Sequence, residues 1–237
     1  MKVAVVTGGS RGIGFGVVKM LCSRGYHVLV SYASNTKAAA EAEEQLEGRA
    51  TFFKAEHTDR RQTYNFVNFI RQQAEAIDCI VCNAGITIRH CFEETTDSDW
   101  DSIMEVAVNA HFILLRELFP LVRNDARIIF TGSTMGVYSH AAVLGYGVSK
   151  ATVHSMVKNL VKVFEAKQVT VNAVVPGFVE TDWQKDKPKH IRQNICQKTA
   201  IHRFATIDEI VSAYAFCLDN AFVNGSLIEV NGGYSYQ

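Results

Sequence analysis

Short apolar runs alternate with longer amphipathic stretches along nearly the whole chain, and this rhythm restricts the fold more than any other feature. Residues 3–7, 28–32, 50–54, 79–82, 127–131, 170–174 and 227–229 are apolar enough to be strands buried on both faces. Between them, helical periodicity runs over roughly 12–24, 36–47, 59–75, 99–122, 145–166 and 206–218. Asp59, Asp99 and the box Thr206-Ile207-Asp208-Glu209 mark helix starts. Strand–helix–strand repetition implies right-handed crossovers, and so a parallel sheet covered by helices on both faces. The expectation is one doubly wound, Rossmann-like α/β domain over residues 1–237. Residues 182–200 break the rhythm: a polar, basic run over 182–190 precedes a short helical stretch at 191–199. Excursions at strand C-termini commonly cover the ligand, so this segment is expected to be a substrate lid.

Composition narrows the function classes. The 24 Lys and Arg balance 24 Asp and Glu, without the basic excess that binding nucleic-acid phosphates usually requires. No apolar run reaches the length of a membrane span, and the stretch Met1–Gly8 is too short for a signal peptide. A soluble, cytoplasmic protein with a small-molecule partner is expected. Among six cysteines, Cys79 and Cys82 form a C-x-x-C with His90 and Cys91 close behind. Reactive pairs of this kind sit at helix N-termini, whereas this one lies in a strand pattern, so no metal is expected.

The first strand runs into Thr7-Gly8-Gly9-Ser10-Arg11-Gly12-Ile13-Gly14, followed at once by a helix. Glycines let the backbone turn sharply and approach a pyrophosphate, while the helix N-terminus offers free N–H groups and a positive dipole end. After the second strand, NAD-preferring sites usually carry an acid that binds the ribose 2′-hydroxyl. Here Val30-Ser31-Tyr32-Ala33-Ser34-Asn35 has none before Glu41, and Arg11 is available to hold a 2′-phosphate. The cofactor expectation is therefore NADP, with Ser10, Arg11, Ser31, Tyr32 and Ser34 on its adenosine side. The alternative for Arg11 is a solvated loop residue.

Tyr146 and Lys150 lie four apart, on one helix face, and Ser133 follows the fifth strand. A tyrosine near its ordinary pKa of about 10 is a weak base, and a nearby lysine cation favours its phenolate. Such a phenol donates a proton to a carbonyl oxygen as hydride arrives, or takes it back in reverse. Alone, a Tyr-x-x-x-Lys pair reads first as an ordinary helix surface.

Thr7-Gly8-x-x-x-Gly12-x-Gly14, Asn83-Ala84-Gly85, Asn109, Ser133, Tyr146-x-x-x-Lys150 and Pro176-Gly177 occur in that order. Together they resemble the short-chain dehydrogenase/reductase family over essentially the whole chain. The look is nearest to the 3-oxoacyl-[acyl-carrier-protein] reductases, through residues 174–182 and the ending Asn231-Gly232-Gly233. The resemblance implies a seven-stranded sheet in the order 3-2-1-4-5-6-7 and a homotetramer. It also implies Tyr146 as general acid, Lys150 on the nicotinamide ribose, Ser133 on the substrate oxygen and Asn109 holding a relay water. Gly8, Gly12, Ile13 and Gly14 would line the pyrophosphate, and Glu56 and His57 the adenine. Asn83, Ala84 and Gly85 would border the riboses, with Pro176, Gly177, Val179 and Thr181 beside the nicotinamide.

The sequence departs from the family at Cys82, where an asparagine is usual, and at Glu56-His57, in place of Asp-Val or Asn-Val. Carrier-dependent members dock acyl carrier protein through arginines for which Arg123 and Lys167 are the nearest counterparts, so a carrier-borne substrate stays a candidate. Lys185, Lys187, Lys189, His190 and Arg192 read first as a solvated face and second as a greeting for an anion. Trp183, Phe178, Tyr138 and His140 are candidates for the pocket wall. The expected activity is NADPH-dependent reduction of a ketone or aldehyde. An NAD(H)-linked alcohol or sugar dehydrogenase is the alternative, as is a non-catalytic dinucleotide-binding sensor. A sugar-nucleotide epimerase would need a larger C-terminal domain.

Overall fold

A computed structural model describes residues 1–138 and 143–234. Its strands are β1 (Lys2–Val6), β2 (Tyr26–Tyr32), β3 (Ala50–Lys54), β4 (Ile77–Cys82), β5 (Val122–Thr131), β6 (Thr170–Pro176) and β7 (Leu227–Val230). They form one seven-stranded sheet in the order β3-β2-β1-β4-β5-β6-β7, with every pairing parallel. The order reverses between β1 and β4, which opens a crevice above their C-terminal ends. This is the Rossmann-like sheet that the sequence rhythm and the family resemblance imply.

The helices are α1 (Gly12–Ser23), α2 (Thr36–Gln45), α3 (Arg60–Gln73), α4 (Asp97–Met104), α5 (Ala110–Leu118), α6 (Leu144–Val163), α7 (Asp182–Lys185), α8 (Lys189–Lys198) and α9 (Ile207–Asp219). Asp59 caps α3 as expected, and Thr206 with Glu209 forms the expected capping box on α9. The fourth helix starts earlier than expected: Thr96 is its cap, and Asp99 is the box partner three residues on. The periodic stretch 99–122 is also not one helix, because a π turn over Glu105–Asn109 separates α4 from α5. Arg123–Ala126 forms an irregularity within β5, whose register against β4 shifts between Ile77 and Cys79. Among the described residues, no helix is long and apolar enough to cross a membrane.

Alternation along each strand divides the core in two. Val5, Ile80, Cys82, Ile128, Phe130 and Val171 pack beneath α3, α5 and α6, while Ala4, Val6, Cys79, Val81 and Ile129 pack beneath α1 and α9. Cys79 and Cys82 thus point into opposite cores, and burial pushes both thiols well above the ordinary range, Cys79 to about 12. Within the first core, the fully buried Phe66 stacks on Phe53 and Phe69 and meets the His57 ring edge-on. Truncating such a ring loses its transfer free energy and leaves a cavity. Phe66→Ala should therefore cost about 3–5 kcal/mol, read as a lower urea midpoint with an unchanged slope.

Candidate active site at the strand C-termini

The crevice is built around the hydroxyl of Thr7, at the end of β1. Thr7 Oγ1 accepts the backbone N–H groups of Asn83 (2.9 Å) and Ala84 (3.0 Å), and lies 3.0 Å from His111 Nε2. His111 Nδ1 is 2.9 Å from the Ala107 carbonyl, which can only accept, so this nitrogen carries the proton. Nε2 is then the acceptor, and the Thr7 O–H donates to it. Both lone pairs of the hydroxyl are left for the two amides, so every group in this buried network is satisfied.

Asn83 ties three strand ends together. Its Nδ2 donates to the carbonyls of Thr7 (3.0 Å) and Gly8 (2.9 Å), and its Oδ1 accepts from Thr131 Oγ1 (3.0 Å) at the end of β5. Tyr214 of α9 closes the chain, its hydroxyl 2.6 Å from that of Thr131. The glycine loop fits against this framework without spare room. Gly8 and Gly12 adopt φ of +66° and +56°, conformations that side chains disfavour. A Cβ at Gly14 would lie 2.3 Å from the Gly8 carbonyl oxygen and 2.6 Å from Asn83 Nδ2. Arg11 is the N-cap of α1 but offers no side-chain cap, and the first turn holds no acid. The N–H groups of α1 are thus left without side-chain acceptors, beside an exposed guanidinium. This cradle suits a pyrophosphate.

The second half of the site forms around α6. Tyr146, Lys150 and His154 recur every four residues along it and face the loop after β5. Lys150 Nζ donates to the Thr131 carbonyl at 2.7 Å, lies 5.6 Å from the Tyr146 ring centre, and would stand 3.4 Å from a Cβ on Gly85. The Ser133 hydroxyl hydrogen-bonds Tyr146 and accepts from the Met135 N–H at 3.2 Å. The Ser133 N–H reaches His154 Nε2 at 3.4 Å. Ser133, Tyr146, Lys150 and Gly85 therefore converge. Burial pushes the Tyr146 phenol above its ordinary pKa, with the Ser133 hydrogen bond pulling the other way. This is opposite in sign to the lysine-driven lowering expected from the sequence. The Lys150 ammonium is directed at a carbonyl, and burial lowers its own pKa to about 8.

The other expected positions are spread around this crevice. Thr181 approaches Gly12, its Cγ2 3.7 Å from where a Cβ would stand, so the start of the 182–200 segment meets the glycine loop. Gly177 packs against Asn231 too closely for a side chain, Pro176 ends β6, and Val179 is buried in a bridge to Ala205. Ile13 and Tyr32 are half-buried, Ser10 lies in the loop, Ser34 is exposed, and Glu56 donates its N–H to Gln62 Oε1 at 2.8 Å.

Asn109 ends the π turn, where its side-chain amide donates to Glu105 at 2.7 Å, and Arg60 of α3 grips that carboxylate with two bonds. Two positions past it, His111 feels the Lys150 charge. Ser31 and His57 are buried beneath the glycine loop. Ser31 Oγ accepts from Gly8 N–H (3.2 Å) and pairs with His57 Nε2 (2.8 Å), whose Nδ1 meets Thr63 Oγ1 at 3.0 Å. Arg123 sits 3.6 Å from Asp78, and Lys167 donates to the Val122 carbonyl at 2.7 Å, so both expected docking cations are engaged near the start of β5.

Tyr138 donates to Glu229 at 3.3 Å, and His140 lies outside the described residues. Thr7 stands out in the sequence only as part of a motif, and His111, His154 and Thr131 do not stand out at all. A histidine in an apolar helix carries no local mark of its partner, so only the tertiary pairing reveals these roles.

A family model for short chain dehydrogenase matches residues 2–192. A 2-dehydro-3-deoxy-D-gluconate 5-dehydrogenase from Pseudoalteromonas atlantica is 30% identical, over 98% of this chain and 95% of its own length. A 3-oxoacyl-[acyl-carrier-protein] reductase from Rickettsia felis is 29% identical, over 98% and 96%. A blue fluorescent protein from a metagenomic library, solved in complex with NADPH, superposes with a TM-score of 0.93 at 29% identity, over 99% and 98% of the two chains.

Burial holds three imidazoles below their ordinary pKa: His57 at about 4, His111 at about 3 and His154 at about 4. Each is neutral when folded but takes up a proton near pH 6.5 when unfolded, so stability falls as pH drops from about 6.5 toward 4. On the order of 2 kcal/mol should be lost per histidine by pH 4.5. Urea unfolding at pH 7.0, 5.5 and 4.5 reads this directly, and His154→Gln should flatten the pH slope by the share of one histidine.

Proposed function

Because the chain belongs to the short-chain dehydrogenase family, we propose that it is an NADPH-dependent reductase of ketone or aldehyde carbonyls. The observation that carries this reading is the convergence of Ser133, Tyr146 and Lys150 beside Gly85, at the end of β5. The dinucleotide, when bound, supplies the hydride. The backbone amides at the start of α1 hold its pyrophosphate, and the Arg11 guanidinium holds a 2′-phosphate that no acid nearby repels. The left-handed turns at Gly8 and Gly12 carry no side chains, which lets the backbone itself come close to the phosphates.

Ser133 orients the carbonyl oxygen, and Tyr146 donates a proton to it as the carbon accepts hydride. A phenol held above its ordinary pKa keeps its proton at neutral pH, as the acid role requires. Lys150, its ammonium held on the Thr131 carbonyl beside Gly85, would meet the nicotinamide ribose hydroxyls. Asn109, its amide tied to Glu105, keeps its side-chain oxygen for the water that returns a proton to the site. Residues 182–200 form the lid of this site, and Trp183, edge-on to Tyr146 at 6.2 Å, supports that reading. Arg123 and Lys167 are engaged elsewhere, which favours a free small molecule over a substrate carried on acyl carrier protein.

The test is consumption of NADPH with a panel of 3-oxo thioesters, oxo acids, diketones and aldehydes. Tyr146→Phe should lower kcat by about 10²–10⁴-fold with little change in NADPH affinity. Arg11→Ala should weaken NADPH binding and leave NADH binding unchanged. Turnover that survives in Tyr146→Phe, or an unchanged cofactor preference in Arg11→Ala, would remove the corresponding assignment. The rate of reduction should also fall as pH rises through about 8, where Lys150 loses its charge.

A further inference from the structure

Ser133 stands at the head of a single 3-10 turn, Thr134–Gly136, and caps it. Its hydroxyl accepts the Met135 N–H at 3.2 Å, and its carbonyl accepts the Gly136 N–H at 2.9 Å. So short a turn has no core of its own, and what it packs against decides where its cap points. Here that is the backbone of α6. A Cβ on Gly136 would stand 2.7 Å from the Ala151 nitrogen, and one on Gly147 3.0 Å from the Met135 carbonyl oxygen. The entering chain is pinned as well, by the Gly132 N–H on the Val174 carbonyl at 2.7 Å.

The buried His154 fills the remaining space, one helical turn beyond Lys150. Its Nε2 accepts the Ser133 N–H at 3.4 Å, while the Gly136 carbonyl holds the proton on the other ring nitrogen. A Cβ on Gly132 would collide with Nε2, and one on Gly136 would stand 2.9 Å from Cε1. The glycines that bracket the turn thus leave their side-chain space to one imidazole. A hydrocarbon of the same bulk would fill that space but leave the Ser133 amide buried without an acceptor.

We infer that His154 is a positioning residue for the reaction: its ring fixes the turn from Gly132 to Gly136 and thereby aims the Ser133 hydroxyl at Tyr146. A hydroxyl that accepts the Met135 amide has one proton and one lone pair left, so a small rotation of the turn redirects both. His154 acts through Ser133, not on the reacting atoms. Proton donation by the aligned pair rests on the reductase reading above; the alignment rests on the packing of the turn alone.

The variants His154→Gln, His154→Asn and His154→Leu separate the bond from the bulk. A glutamine amide reaches the place of Nε2 and accepts the Ser133 N–H, whereas the shorter asparagine and the apolar leucine do not. His154→Leu and His154→Asn should lower kcat by about 10–10²-fold with NADPH affinity unchanged. His154→Gln should stay within about twofold of wild type, and His154→Asn gives the reading should the leucine variant not fold. In a Ser133→Ala background, His154→Leu should cost less than about a further twofold, because the group it positions is gone.

The alignment is read without turnover from protein labelled with carbon-13 at the tyrosine ζ carbon, the Tyr146 resonance being assigned by its loss in Tyr146→Phe. Ser133→Ala removes the hydrogen bond to the phenol and gives the reference displacement. His154→Leu and His154→Asn should reproduce that displacement, and His154→Gln should not. If no carbonyl compound is reduced but the resonance moves in this pattern, the positioning role stands and the reductase reading fails. A resonance left at its wild-type place in His154→Leu and His154→Asn, equal losses in all three variants, or full additivity with Ser133→Ala would overturn the positioning role.

Discussion

The hydroxyl of Thr7 is the point on which the crevice depends. A parallel sheet ends in a row of loops whose backbone groups have lost their ladder partners, and buried loops must find others. Thr7 collects two amides from the loop after β4 and gives its proton to His111 of α5. Asn83, held in this way, joins the glycine loop to β5 through Thr131. One small side chain thus fixes the relative height of three strand ends. The close approach of Gly14 to Gly8 and Asn83 is possible only because that height is fixed.

The same device recurs with different partners. His57 supports the glycine loop through Ser31, His111 the loop after β4 through Thr7, and His154 the loop after β5 through the Ser133 amide. All three imidazoles are held neutral by burial, so each serves as a rigid hydrogen-bonding wedge and not as an acid or base. Neutrality here also limits repulsion with the nearby Lys150 ammonium, whose charge reaches both His111 and His154. The positive charge of the site is left to Arg11 at one end and to Lys150 at the other.

The fold was legible because seven strand patterns, separated by helical ones, admit few topologies, and Asp59 and Thr206 cap the helices they announce. Tyr146 and Lys150 were legible because helical spacing alone puts them on one face. The pairing of Asn109 with Glu105 was not, because a π turn adds a residue without leaving any mark in the hydrophobic pattern, and every later side chain on that helix is rotated. Ser31 and His57 hold the glycine loop from within, a role that no local pattern announces. The direction of the Tyr146 shift was misjudged because spacing to Lys150 says nothing about where the ammonium points.

Hydride delivery to a carbonyl carbon whose oxygen Tyr146 protonates is the step that gives this arrangement its purpose. The most direct measurement is the fate of deuterium from NADPH labelled at the nicotinamide C4, each face in turn, when a carbonyl compound is reduced. If Tyr146 and the bound dinucleotide act as derived, one label, and only one, appears on the carbinol carbon of the product alcohol, and deuterated solvent leaves none there. Transfer from neither face, with NADPH bound but unconsumed across the carbonyl panel, would contradict that chemistry and leave a binding protein in its place.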